Sequence, residues 1–401
     1  LYGRVFKAFE SRDFRLMWAG ACVSSIGTWM QKLAQSWLVL ELSGSPFWLG
    51  LDAFLGEIPV FLFALLAGVA ADRLPRQRLL LASQLVQLTC AFLLALLFAT
   101  GTVAVWQILA LSFVVGTAMS FGAPAYQSLL PSLVPREQIP NAIAMNSIQF
   151  NLARVIGPVL GGLALSKLGA AWCFGLNGLS YIAVIFSLLM IRGGFAPKPT
   201  DETVMQSMKG GLQFIRSRPG MQALIVVAFF TTYLGIPIIV FLPVFAKDVF
   251  HGDEKTYTLL LSVEAAGAIA GALLVAARGK RAHLGRDSML GLIALGVFMS
   301  AFAWSKNLTL SCVFVFLGGM ALIGCFAMLS SLVQFAATDE MRGRVMSLYN
   351  IAFRGGMPIG SLIAGSIIPA LGAPMVVGAH GIVLALLGLF LLFGKRRLAA
   401  Q

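Results

Sequence analysis

Acidic residues are scarce in this chain: 16 Asp and Glu stand against 29 Lys and Arg among 401 residues. Charge of either sign is thin, at 11% of residues against about 25% in an average soluble domain. That little polar sequence cannot cover a chain that is 59% hydrophobic, so a soluble globular protein is excluded. The 5 cysteines (Cys22, Cys90, Cys173, Cys312 and Cys325) all sit in apolar stretches without a Cys-x-x-Cys or a Cys/His cluster, which argues against a metal site and for free packing thiols. Of the 3 histidines, His251 and His283 fall in polar connections, and His380 lies in an apolar stretch, where a hydrogen-bonded structural role is expected. There is no Gly-x-x-x-x-Gly-Lys-Ser/Thr loop for ATP, no His-Glu-x-x-His and no Gly-x-Ser-x-Gly elbow. No soluble domain is left over to carry a catalytic site. The chain is expected to be no enzyme and to need no cofactor or metal.

What fills the chain instead is a series of twelve apolar stretches, each near the ~20 residues that cross a bilayer: 15–41, 47–70, 79–99, 103–128, 140–167, 171–191, 221–245, 256–277, 288–304, 308–333, 343–370 and 373–394. The expected class is an all-α membrane protein. The net charge of +13 could suggest a nucleic-acid partner, but its distribution excludes one. With the N-terminus in the cytoplasm, only Lys167, Lys247, Lys255 and Lys306 fall outside and Lys32, Arg154 and Arg354 within spans; the remaining basic residues are cytoplasmic. That asymmetry orients the protein in a cytoplasmic (inner) membrane with both termini inside, and brings membrane lipids into contact with its basic face. The basic start Arg4, Lys7, Arg12 runs directly into a full-length span, so no cleavable signal peptide is expected.

A basic polar linker, 192–220, divides six spans from six, giving an N-terminal bundle (1–191) and a C-terminal bundle (221–401). Displaced by 203 residues, the fifth span falls on the eleventh without gaps: Ile148 on Ile351, Phe150 on Phe353, Ile156-Gly157 on Ile359-Gly360, Gly162 on Gly365 and Leu168-Gly169-Ala170 on Leu371-Gly372-Ala373. Parallel repeats of this kind build transporters that rock two halves around a midplane site.

Two motifs carry more. After the second span the chain reads Gly68-Val-Ala-Ala-Asp72-Arg73-Leu-Pro75-Arg76-Gln-Arg78. Gly68 admits a close helix, Asp72 sits at a helix end and the arginines hold the loop in the cytoplasm. The fifth span holds Asn151-Leu-Ala-Arg154-Val-Ile-Gly157-Pro158-Val-Leu-Gly161-Gly162, in which Gly-Pro kinks a helix and the glycines admit a neighbour. The first resembles the loop 2–3 signature of the major facilitator superfamily, with Pro75 in place of its second Gly. The second resembles the Gly-Pro-x-x-Gly-Gly core found in that superfamily's proton-coupled exporters, with Ala153 where a Gly is usual; the fourth span lacks the arginine that many drug/proton antiporters carry. Ser24-Ser-Ile-Gly27-Thr-Trp29-Met-Gln31, Leu42-Ser-Gly-Ser-Pro46 and Leu129-Leu-Pro131-Ser-Leu-Val-Pro135-Arg136-Glu137 extend the likeness to the branch of enterobactin exporters and macrolide efflux proteins. The resemblance implies the major facilitator fold, 12 transmembrane helices as two pseudo-symmetric six-helix bundles. It also implies a cytoplasmic latch at Asp72, with Arg342 or Arg344 opposite.

Six charges fall inside spans, where each costs about 2.5–3.5 kcal/mol on insertion scales: Lys32, Asp52, Glu57, Arg154, Glu264 and Arg354. In the superfamily fold the second span packs beside the eleventh and the fifth beside the eighth, which predicts the pairs Glu57–Arg354 and Arg154–Glu264. Lys32 is a partner for Asp52. Protonation of a carboxylate would release such a pair and permit rocking, which makes Glu57, Asp52 and Glu264 the proton-coupling candidates; a permanent pair that only fixes packing is the alternative. Eleven residues being close to three turns, Glu57, Gly68 and Asp72 are expected on one helical face. Trp29, Lys32, Asn151, Tyr233, Tyr349, Asn350 and Phe353 are the substrate-binding candidates, a mostly apolar set with a few polar groups that suits an amphipathic or aromatic compound. The expected function is export of a small siderophore- or drug-like molecule by proton antiport with alternating access, in a monomer. A lipid or lysolipid translocator, a uniporter without proton coupling, and a non-transporting receptor or assembly factor are the competing readings.

Overall fold

The computed structural model describes residues 6–191, 204–278 and 283–394, and these are helical with no strand among them. The long helices are α1 (Arg12–Ser43), α2 (Pro46–Leu62), α3 (Ala64–Arg73), α4 (Arg76–Ala99), α5 (Val105–Leu129), α6 (Ile139–Leu168), α7 (Ala170–Met190), α8 (Val204–Arg216), α9 (Pro219–Gly235), α10 (Glu254–Arg278), α11 (Leu284–Trp304), α12 (Leu308–Ala336), α13 (Arg342–Leu371) and α14 (Ala373–Gly394). By length and hydropathy, 10 segments of the described residues can cross a membrane. The first two expected spans are not among them, for readable reasons. In α1 the polar run Gln31, Lys32, Gln35, Ser36 dilutes the hydropathy. The second span is split into α2 and α3 at Phe63 (φ −100°, ψ 5°). Pro59, inside α2, cannot donate to the carbonyl four residues back, which weakens the helix one turn before the split. Across the break Phe63 still donates to the Pro59 carbonyl at 2.8 Å and accepts from Ala67 at 2.7 Å. The seventh span also departs from a plain helix: beyond α9 the chain continues as Pro237–Val240, Leu242–Val244 and a π-helical turn Phe245–Val249, with Pro237 and Pro243 opening the first two pieces.

Two compact units emerge. Among the described residues the first comprises 6–42 and 58–191, the second 43–57, 204–278 and 283–394. In the first, α4 packs chiefly on α7 and α5, and α3 on α5; in the second, α11 packs on α14 and α12, and α10 on α12. These are the same pairings one repeat apart. Within the second unit α9 lies along α13. The repeated helices agree in detail: α6 and α13 are each 30 residues long, and each stops at a glycine in a positive-φ conformation, Gly169 (89°) and Gly372 (81°). These C-terminal glycines accept a backbone turn that L side chains resist.

The linker is not simply extended. Its described part, α8, is an amphipathic helix that packs on α13 and α9. Ile215 is buried while Lys209, Arg216 and Arg218 are exposed. Residues 192–203 lie outside the described set.

Candidate functional site

Helix geometry places the intramembrane charges. At 1.5 Å per residue, Arg154, Glu264 and Arg354 lie within about 4 Å of the middle of α6, α10 and α13, and Lys32 about 7 Å past the middle of α1.

In the first unit these positions converge on Trp29. The Lys32 ammonium lies 5.3 Å from the indole centroid and the Arg154 guanidinium 5.8 Å from it. Phe150 meets the same ring edge to face at 6.2 Å. The site can assemble because α1 and α6 touch at backbone level: a Cβ on Gly157 would lie 2.8 Å from the Ile26 carbonyl oxygen and 3.2 Å from the Met30 nitrogen. Gly161 sits one turn on, against Met30. The Gly-Pro motif thus sets the approach of α6 to the helix that carries Trp29 and Lys32, while α6 itself runs unbroken through Pro158. Gly162 is buried in the same helix. Asn151, half-buried, donates to the Ser147 carbonyl at 2.8 Å and so is tied to its own helix.

Behind α1 lies a set of neutral polar side chains that the search for charges overlooked. Asn177 donates to Gln31 at 2.6 Å, Gln31 to Gln35 at 3.4 Å, and Gln35 to Ser112 at 2.9 Å. A second chain runs from Thr28, 3.3 Å from the Tyr181 hydroxyl, through Tyr181 to Gln87 (3.2 Å) and Gln87 to Ser83 (3.1 Å). Together they join α1 to α4, α5 and α7. The available signal was the run of amides inside otherwise apolar spans, where a polar group needs a partner.

In the second unit, Tyr233 stacks near Phe229 (5.9 Å) and His380 (6.4 Å). Its backbone is held by α13: Gly356 and Gly360 face Thr232 and Tyr233, as Gly157 and Gly161 face α1. Tyr349 stacks on Phe353 at 5.8 Å, and Phe353 meets Phe326 edge to face at 4.5 Å. Asn350 and Arg354, one turn apart on α13, are exposed. Glu264 is 3% exposed and borders a small apolar cavity with Ile238, Leu242, Leu295, Val315 and Leu322. Asp52 is buried in α2.

The expected Glu57–Arg354 ion pair is not formed among the described residues. Gly50 of α2 packs against Ser361 and Gly365 of α13. Arg154 belongs to the first unit and Glu264 to the second.

At the end of α3, Gly68 is half-buried and Arg73 exposed, and the Asp72 side chain lies outside the described residues. Arg76 donates to the Ser128 carbonyl at 3.1 Å, tying this loop to the end of α5. Arg342 pairs with Asp339 at 2.6 Å. The Arg344 guanidinium crosses α8 at Gly210, where an added Cβ would lie 3.0 Å from it.

The sequence profile of a family described as transmembrane secretion effector matches residues 4–399. A macrolide efflux protein A of Streptococcus pyogenes is 24% identical over 361 residues, covering 88% of each chain. An enterobactin exporter of Citrobacter koseri is 27% identical over 408 residues, covering 96% of this chain and 92% of its own. Among solved structures, a variant of a nucleoside transporter superimposes with a TM-score of 0.78 at 12% identity, covering 94% of this chain and 99% of that one, a likeness of fold.

Proposed function

Since the chain belongs to the transmembrane secretion effector family of the major facilitator superfamily, we propose that this multi-pass membrane transporter is a secondary active exporter. It moves a small amphipathic or aromatic compound outward, in exchange for protons, by alternating access. The matched relatives named for macrolide efflux and enterobactin export support the direction and the siderophore- or drug-like class. The proposal extends to twelve spans in two six-helix bundles (1–191 and 221–401), both termini in the cytoplasm of an inner membrane, and a monomer as the working form.

The observation that carries the proton reading is Glu264. It is a carboxylate at mid-depth, 3% exposed, on the wall of an apolar cavity. A buried carboxylate needs a partner to hold its charge away from water, and proton uptake would release that partner. A residue of that kind can report proton uptake to the helices around it. Glu57 and Asp52 are the further proton candidates. Trp29, Lys32 and Asn151 offer substrate contacts in the first unit, and Tyr233, Tyr349, Asn350 and Phe353 in the second, with Arg154 and Arg354 as fixed cations. Gly68, Asp72, Arg73 and Arg76 form the cytoplasmic latch.

The test is proton flux. Protein is reconstituted in liposomes holding a pH dye, and siderophores, macrolides, dyes and lysolipids are added in turn. Substrate-dependent pH change in wild type, lost in Glu264→Gln, is the expected result. Substrate movement indifferent to a pH gradient would sink antiport and leave a uniporter or lipid translocator.

A further inference from the structure

The exposed face of α13 changes character along the helix. From Arg342 to Arg354 its exposed residues are Arg342, Gly343, Ser347, Asn350 and Arg354, none of them apolar. Beyond Arg354 exposed isoleucines take over, at Ile359 and Ile363. Ser347, Asn350 and Arg354 follow one another three and four residues apart, so they lie on one side of the helix. Ser361, two turns past Arg354 on that side, is buried, with Gly50 of α2 packed on it. The second unit thus carries a polar stripe that starts at the N-terminal end of α13 and stops near its middle. Arg354 is its last member. A span of 30 residues is about 45 Å long, so a hydrocarbon layer of about 30 Å laid anywhere along α13 takes in Arg354, about 18 Å from one end and 26 Å from the other. Among the described residues Arg354 makes no ion pair and no hydrogen bond, and the carboxylates within spans of its own unit, Asp52, Glu57 and Glu264, are not paired with it. A cation facing acyl chains costs about 2.5–3.5 kcal/mol, and the exposed Asn350 amide beside it would add to that cost. The stripe therefore faces water.

We propose that Arg354 and Asn350 form an anion-binding subsite at the blind end of this stripe, which takes a carboxylate, sulfonate or phosphate group of the transported compound. The planar guanidinium offers paired N–H donors to two oxygens of one such group, and the Asn350 amide, one turn away, adds another donor. The inference rests on the export reading and narrows it to the anionic members of the amphipathic class. With both termini in the cytoplasm, the stripe opens on the cytoplasmic side, where an exporter loads. An anionic lipid headgroup carries the same chemistry, and the test separates the two sources.

Binding tests the charge, and labelling tests the place. Purified protein in phosphatidylcholine nanodiscs is dialysed at equilibrium against 2-naphthalenesulfonate and 2-naphthol, with uptake by empty nanodiscs subtracted. The sulfonate should bind wild type about tenfold more tightly than the naphthol, and Arg354→Gln should remove that advantage. Arg354→Lys should recover only part of it, because an ammonium does not match two oxygens at once. In Ser347→Cys a neutral, water-soluble methanethiosulfonate should label the new thiol above the wild-type background. The sulfonate should slow that labelling severalfold and the naphthol should not. If Arg354→Gln, shown to be folded by size exclusion, keeps the sulfonate advantage, the proposal is wrong. It is also wrong if the thiol is not labelled, as a lipid-facing stripe requires, or if the sulfonate leaves the labelling rate unchanged; these two outcomes decide even should Arg354→Gln fail to fold. Phosphatidylglycerol mixed into the nanodisc should leave labelling unchanged. Protection by it would give the site to a headgroup and overturn the assignment to the transported compound. The proton-flux measurement is independent. Loss of coupling with the sulfonate preference intact refutes only antiport, absence of any transport with that preference intact refutes only export, and coupled flux without the preference refutes only the subsite.

Discussion

Replacing Gly360 by alanine tests the closest helix contact around Tyr233. A Cβ built there would overlap the Tyr233 carbonyl oxygen and lie 2.8 Å from its carbon and 3.0 Å from its Cα, where ordinary contact is 3.4–4 Å. The obstacle is backbone, which no rotamer change can clear. The helices α9 and α13 must part by about 1 Å, and overpacking of this sort costs about 1–3 kcal/mol. Gly318 is the matched control, since a Cβ there meets nothing within 4 Å. In α12 its replacement by alanine removes backbone freedom from the unfolded chain and gains up to about 1 kcal/mol. The two Gly→Ala variants should thus differ by about 1–4 kcal/mol. Equilibrium unfolding in mixed SDS–maltoside micelles, followed by circular dichroism, reads the difference directly. Gly360→Ala should unfold at the lower SDS fraction and Gly318→Ala at or above wild type. Coincident transitions, or the reverse order, would refute the backbone-level packing of α13 on α9. Because Gly360 also seats Tyr233, the same variant should weaken substrate binding.

Other outcomes are as definite. Tyr181→Phe removes a buried hydroxyl that lies within hydrogen-bonding distance of both Thr28 and Gln87; it should destabilise the protein by about 1–3 kcal/mol in the same SDS titration. Arg344→Ala should loosen α8 from α13, seen as faster hydrogen exchange across Val204–Arg216 with exchange in α4 and α7 unchanged. Lys306→Cys should react with an impermeant maleimide added outside intact cells and Arg78→Cys should not, as both termini in the cytoplasm require.

The sequence allowed the repeat to be read because α6 and α13 share a strict spacing of glycines, which packing at backbone level cannot tolerate shifting. Trp29 and Lys32 were legible for a similar reason, being three residues apart on one helix. Whether Glu57 and Arg354 pair depends on how two helices distant in sequence meet, which no local pattern announces. The split at Phe63 was partly foretold by Pro59, and reading 47–70 as one helix ignored it. In the linker, charge masked period: Met208, Gly211, Leu212 and Ile215 recur at helical spacing among Lys and Arg. The amide chains through Gln31, Gln35, Asn177 and Gln87 went unseen because neutral polar residues cost less in a span than charges and were given less weight.

The membership of Ser43–Glu57 in the second unit has a bearing on how the protein is made. This segment leaves the ribosome early, yet the helix surface that receives Gly50 is built from Ser361 and Gly365, roughly 300 residues later. At about 5–20 residues per second, the wait is on the order of 15–60 s. During that time the Gly50 side of α2 lacks the helix surface that receives it. Completion of the second unit therefore waits on the C-terminal helices. A nascent chain stalled before residue 361 would hold a first unit that can pack and a second that cannot, and its quality control would fall on the exposed small-residue face of α2.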